Sequence, residues 1–161
     1  MVARRKRQTI GTGDVFLVPL SDGSWCAGQL LQITKKALNS CICAFFDVRL
    51  LAESDIVNRP LHEANLFAVQ FVTPESLKKA LWPIVENREV TIDLERYIPL
   101  DKLQQHGFVG AKIVGDGIID DFLNAYYGLR PWDDFHDPNY FDKLLASPGK
   151  RPADVILTKA K

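Results

Sequence analysis

Alternation of apolar and polar positions organises the first half of the chain. Residues 15–20 are apolar throughout, residues 25–33 largely so, and Ser21, Asp22, Gly23 and Ser24 separate them. An Asp-Gly pair between two apolar runs predicts a β-hairpin, because glycine accepts the positive φ of a tight turn. From 41 to 50, Ile42, Ala44, Phe46, Val48 and Leu50 recur at every second residue, which places them on one core-facing side of a third strand. The other side starts with Cys41, Cys43 and Phe45 and ends with Asp47 and Arg49, so one end of that strand is covered on both faces. Residues 51–65 carry mixed polarity and Pro60 and read as a loop with a short turn of structure. Residues 66–72 predict a fourth strand with Phe67, Val69 and Phe71 aligned.

The pattern then shifts towards helices. Thr73 and Pro74 predict a helix start, with threonine as the N-cap and proline at the first position, where its missing N–H costs nothing. Leu77, Ala80 and Leu81 form the expected buried stripe, and Pro83 the stop. A hairpin at Asn87 and Arg88 leads into a predicted strand in which Val90, Ile92 and Leu94 alternate with Thr91, Asp93 and Glu95. Residues 107–117 are glycine-rich and read as a short strand and turn. Residues 118–127 predict a helix, with Asp120 and Asp121 near its N-terminus and Gly128 at its C-terminal cap. Asp137 and Pro138 repeat the cap-plus-proline start for a helix over 139–145, and residues 153–158 read as a last strand. Strands first, with short helices mainly in the C-terminal half, predict an α+β fold rather than a parallel α/β one. The expected form is an antiparallel, strongly bent β-sheet or SH3-like partial barrel.

Composition narrows the class. A chain of 161 residues, 47% hydrophobic and 25% charged, sits near the globular average, so neither disorder nor a membrane protein is indicated. The expected division is a basic flexible tail over 1–10 and a single domain over 11–161. No apolar run approaches the roughly 20 residues of a membrane span, and no signal-type apolar stretch follows the basic start, so a cytoplasmic protein is expected. Cys26, Cys41 and Cys43 are an odd number without C-x-x-C spacing, which suits small buried hydrophobes.

Candidate chemistry is sparse. Gly11 with Gly13, and Gly110 with Gly115 and Gly117, complete no phosphate-binding loop. His136 stands beside Asp133, Asp134 and Asp137, but the calcium-loop spacing is absent and Asp137 is better used as a cap. No catalytic residue, cofactor or metal site is therefore expected.

Charge is more informative. Net charge is zero, yet from 116 to 142 seven aspartates face Arg130 alone, leaving the rest of the chain positive. Arg4, Arg5, Lys6 and Arg7 form a basic run that suits either nucleic acid or a solvated tail; it lacks interleaved aromatic residues to stack bases. In the acidic stretch, Asp120, Asp121, Tyr126, Trp132, Asp133, Asp134 and Phe135 are the candidate partner-binding residues. Aromatic rings supply buried anchor area in interfaces, and one-signed charge steers a basic partner.

Two stretches resemble a known family. Residues 13–29, reading GDVFLVPLSDGSWCAGQ, resemble the opening hairpin of the immunity protein 26 family. Residues 122–133, FLNAYYGLRPWD, and 137–145, DPNYFDKLL, resemble its C-terminal signature. The resemblance implies a bacterial immunity protein of a polymorphic toxin system, which binds and neutralises a cognate toxin without catalysis. A basic nuclease is one toxin that the acidic stretch suits. The competing expectation is a nucleic-acid-binding module built from the strand-rich half and the basic tail.

Overall fold

A computed structural model describes residues 6–34 and 39–158. Four strands follow one another as expected: β1 (Asp14–Pro19), β2 (Trp25–Thr34), β3 (Ser40–Leu50) and β4 (Leu66–Val72). The first turn forms because Gly23 takes φ +88° and Asp22 Oδ1 accepts the Ser24 backbone N–H at 3.0 Å. Three helices are interspersed: α1 (Glu75–Lys78), α2 (Leu100–Gln105) and α3 (Asp116–Tyr126). Two short strands, β5 (Ile84–Asn87) and β6 (Ile113–Val114), complete the sheet in the order β5-β1-β2-β3-β4-β6. All neighbours are antiparallel except β4 and β6. The fold is α+β with an open, mostly antiparallel mixed sheet; of the two expected forms, a bent sheet or an SH3-like partial barrel, the barrel does not close.

Both faces of this sheet are buried. On one face Val15, Leu17, Ile42, Ala44, Phe46 and Leu50 pack beneath Ile56, Ile92, Ile98 and Leu100 from the connecting segments. On the other, Phe16, Cys43, Phe45 and Phe67 pack beneath Trp82, α3, Trp132 and Phe141. Each large side chain removed from water in this way stabilises the fold by about 1.5–3 kcal/mol. Phe16 is the hub of the second face. It stacks on Trp82 at 5.5 Å between centroids and meets Phe45 edge-on at 6.0 Å. Gly28 makes that arrangement possible, since a Cβ there would lie 2.6 Å from the Phe16 ring.

Several expectations change. A register shift between Phe45 and Phe46 in the β3–β4 pairing turns Phe67 to the Trp82 side, whereas Val69 and Phe71 face the other way. Such bulges reverse the side-chain alternation locally. Residues 90–94 form no strand: Ile92 is buried in the cluster on the sheet face, and the edge of β1 is taken by β5. Helix α1 ends at Lys78, well before Pro83, and Thr73 pairs with Asp116 instead of capping it. The expected helix over 139–145 is a 3-10 turn at Phe141–Leu144. Residues 153–158 are irregular, and α2 had no counterpart among the expected elements. Helix α1 lies between β4 and β5, and α2 and α3 follow β5.

The N-terminal boundary is also informative. Gln8 donates through Nε2 to the carbonyls of Leu77 and Trp82, both at 2.8 Å, and its Oε1 accepts the Ile84 N–H at 3.2 Å. Apart from Lys6 and Arg7, the basic run lies outside the described residues.

Candidate interaction surface

Helix α3 is amphipathic at helical spacing. Ile119, Phe122, Leu123 and Tyr126 fall at i, i+3, i+4 and i+7 and are buried against the sheet, which leaves Asp120, Asp121 and Asn124 towards solvent. Asp116 fixes the start of the helix. Its backbone N–H donates to Thr73 Oγ1 at 2.9 Å, while its carboxylate accepts the Thr73 hydroxyl at 3.0 Å and the Ser76 N–H at 2.8 Å. Burial alone would raise this carboxyl, but the hydrogen bonds from Ser76 and Thr73 win and hold it below the usual range.

The aromatic residues of the acidic stretch divide into core and surface. Tyr126 stacks on Phe67 at 3.8 Å between centroids. Trp132 is 1% exposed, lies 5.7 Å from Phe122 and 5.6 Å from Phe141, and donates its Nε1–H to Asp142 at 3.1 Å. These two rings stand behind the surface, in contrast to the outward face expected from sequence; their area is worth more to the sheet's cover than to water. Asp133 is buried as well, and Oδ1 accepts both the backbone N–H and the hydroxyl of Thr158 at 2.8 Å. It fastens the C-terminal segment.

Asp120, Asp121, Asp134 and Phe135 keep access to solvent. Arg130 links two of them, at 2.7 Å to Asp121 and 3.9 Å to Asp134. Phe135 stacks on Tyr140 at 4.9 Å between centroids. Asp120 is half-buried and accepts the Trp82 Nε1–H at 3.0 Å. Burial pushes its carboxyl up to about 6; the indole hydrogen bond opposes this, and the negative charges of Asp116 and Asp121 add to it. Of the seven expected residues, the structure thus gathers these four on the outer side of α3 and the loop after it.

Other candidate chemistry has ordinary structural explanations. Among the described residues, no group of three His, Cys, Asp or Glu side chains could hold a metal ion. Asp137 does not cap the 3-10 turn, whose N-cap is Tyr140; its carboxylate accepts the Asn139 N–H at 2.9 Å, closing a local turn, and pairs with Lys143 at 2.7 Å. The three cysteines are free and buried, and burial pushes the Cys26 thiol up to about 12. No helix among the described residues is long and apolar enough to cross a membrane.

One surface residue escaped the sequence reading. Leu81, expected in the buried stripe of α1, is 61% exposed beside Trp82. Ala80, at φ +58°, turns the chain there, and an alanine carries no sequence signal for that conformation.

Fold and surface together define an α+β protein with a doubly covered open sheet and an acidic flank. A family model for immunity protein 26 matches residues 11–109, and the chain belongs to that family. The match includes the opening hairpin over 13–29 and ends before β6 and α3, so the second resembling stretch lies beyond it. No curated protein and no solved structure matches the chain.

Proposed function

We propose that this chain is the immunity half of a bacterial polymorphic toxin system: a cytoplasmic protein that binds its cognate toxin stoichiometrically and silences it without catalysis. Membership of the immunity protein 26 family across 11–109 carries this reading. The exposed carboxylate of Asp134, the partly exposed ones of Asp120 and Asp121 and the partly exposed ring of Phe135 form the contact surface in this proposal. Tyr126, Trp132 and Asp133 support it from behind. A basic nuclease suits such a surface, since carboxylates set where substrate phosphates lie would both attract the enzyme and block its groove.

The test is co-expression with the toxin encoded beside this gene. The toxin alone arrests growth, the pair restores it, and the two chains purify as a complex of fixed stoichiometry from which denaturing separation returns active toxin. Rescue without a complex, or recovery of covalently altered toxin, would overturn the reading.

A further inference from the structure

A groove of about 390 Å³ runs between the β1–β2 turn, the segment after α1 and the outer side of α3, lined by Leu20, Ser21, Leu81, Trp82, Asp120 and Asn124. Its walls are tied together. The Ser21 N–H donates to Asn124 Oδ1 at 2.8 Å, and Asn124 Nδ2 donates to the Asp120 carbonyl, also at 2.8 Å. The groove therefore exists before anything enters it, which lowers the ordering cost of binding. Leu81 offers an exposed apolar wall, and the buried Trp82 presents its indole N–H to Asp120. Among the described residues no cation forms an ion pair with Asp120, and the charged groups acting on it, Asp116 and Asp121, are both negative. Neither lies in the groove lining, so Asp120 is its single charged group among the described residues.

We infer that this groove receives a lysine or arginine side chain of the partner protein, its aliphatic stem along Leu81 and its charged end on Asp120. This deepens the immunity reading and rests on it for the partner's identity. A cation is the occupant the groove lacks: it compensates a half-buried carboxylate flanked by like charge. Long basic side chains lay their methylenes on apolar surface while the charge stays paired or wet. A neutral apolar occupant would desolvate Asp120 without pairing it, and an anion would be repelled.

The test needs no toxin, so its failure is distinct from failure of the co-expression experiment. N-acetyl-lysine methylamide and N-acetyl-arginine methylamide are titrated into the ¹⁵N-labelled chain, with N-acetyl-norleucine methylamide as the neutral control. The cationic probes should shift the Trp82 indole and Asn124 side-chain signals, saturating at about 10–50 mM, the affinity expected of one side chain. Asp120→Asn should weaken the response at least fivefold. Leu81→Lys, at an exposed position, fills the groove from the chain itself and serves in its place should the first variant not fold. An equal response to the neutral probe, no response at these signals, or a response that survives the substitution overturns the assignment.

Discussion

The Trp82 indole donates its N–H to the carboxylate of Asp120 at 3.0 Å, joining the segment before β5 to the middle of α3. That one bond does not offset what burial and two neighbouring aspartates do to the carboxyl, which rises to about 6.

Protonation of Asp120 is therefore linked to folding. Its carboxyl titrates near 3.9 in the unfolded chain and at about 6 in the folded one, so between those values the folded state holds the extra proton. The stability it contributes is fully present below pH 4 and is lost as pH rises through 6. Asp120→Asn keeps an acceptor for Trp82 and removes the charge. Thermal melts should show the variant more stable at pH 7.5 by about 1 kcal/mol, after discounting for solvent screening, with the gain gone at pH 4.

Gly28 holds space for Phe16. An alanine methyl would meet the Phe16 ring at 2.6 Å and the Ala44 carbonyl at 3.1 Å, in the middle of β2, where neither strand can easily withdraw. Gly28→Ala should lower the urea midpoint by an amount equivalent to about 1–3 kcal/mol, the usual cost of overpacking. An unchanged midpoint would mean that the Phe16–Trp82 stack can slide.

Trp132 and Phe135 are three residues apart and differ in role. Trp132→Ala removes a buried ring between Phe122 and Phe141 and deprives Asp142 of its indole donor, so about 3–5 kcal/mol should be lost. Phe135→Ala removes a partly exposed ring stacked on Tyr140 and should cost about 1 kcal/mol. Denaturant unfolding of the two variants checks the order, and toxin affinity should respond in the reverse sense for Phe135.

Thiol reactivity should report the integrity of the sheet. Burial holds the Cys26, Cys41 and Cys43 thiols up, and all three lie on the face covered by α3. A thiol-reactive chromophore should label the native chain slowly and all three cysteines at once in denaturant. Fast labelling of one native cysteine would place that strand at the surface.

Reversal of charge at Asp134 tests electrostatic steering. Its carboxylate is exposed and 3.9 Å from Arg130, so Asp134→Lys should leave the melting temperature nearly unchanged. Association with a basic toxin should slow several-fold at low salt and lose part of its salt dependence.

The strands were legible because period two is strong wherever one face is buried, as Ile42 through Leu50 show. The same signal misled at 90–94, where Ile92 is buried against the sheet from an unpaired segment. Alternation records which side meets apolar surface and cannot say whether the backbone is paired. Phe67 was misaligned because a bulge is a property of two strands and is invisible in either alone. Leu81 was placed inside because Ala80 adopts the left-handed conformation that glycine usually marks. At the candidate surface, acidic residues around Trp132 suggested docking, while the buried indole in fact needed an acceptor and found Asp142. The carboxylates of Asp120, Asp121 and Asp134 do reach solvent; which aspartates serve as caps or clasps depends on partners far away in sequence, such as Thr158 for Asp133.

The parallel pairing of β6 with β4 lies past residue 109, and so does all of α3. A fragment halted at that point would keep Trp82 over Phe16 and Phe45 but lose Phe122 and Tyr126 from above Phe67, leaving that ring open to water. Such a fragment should clump or cling to chaperones instead of standing alone.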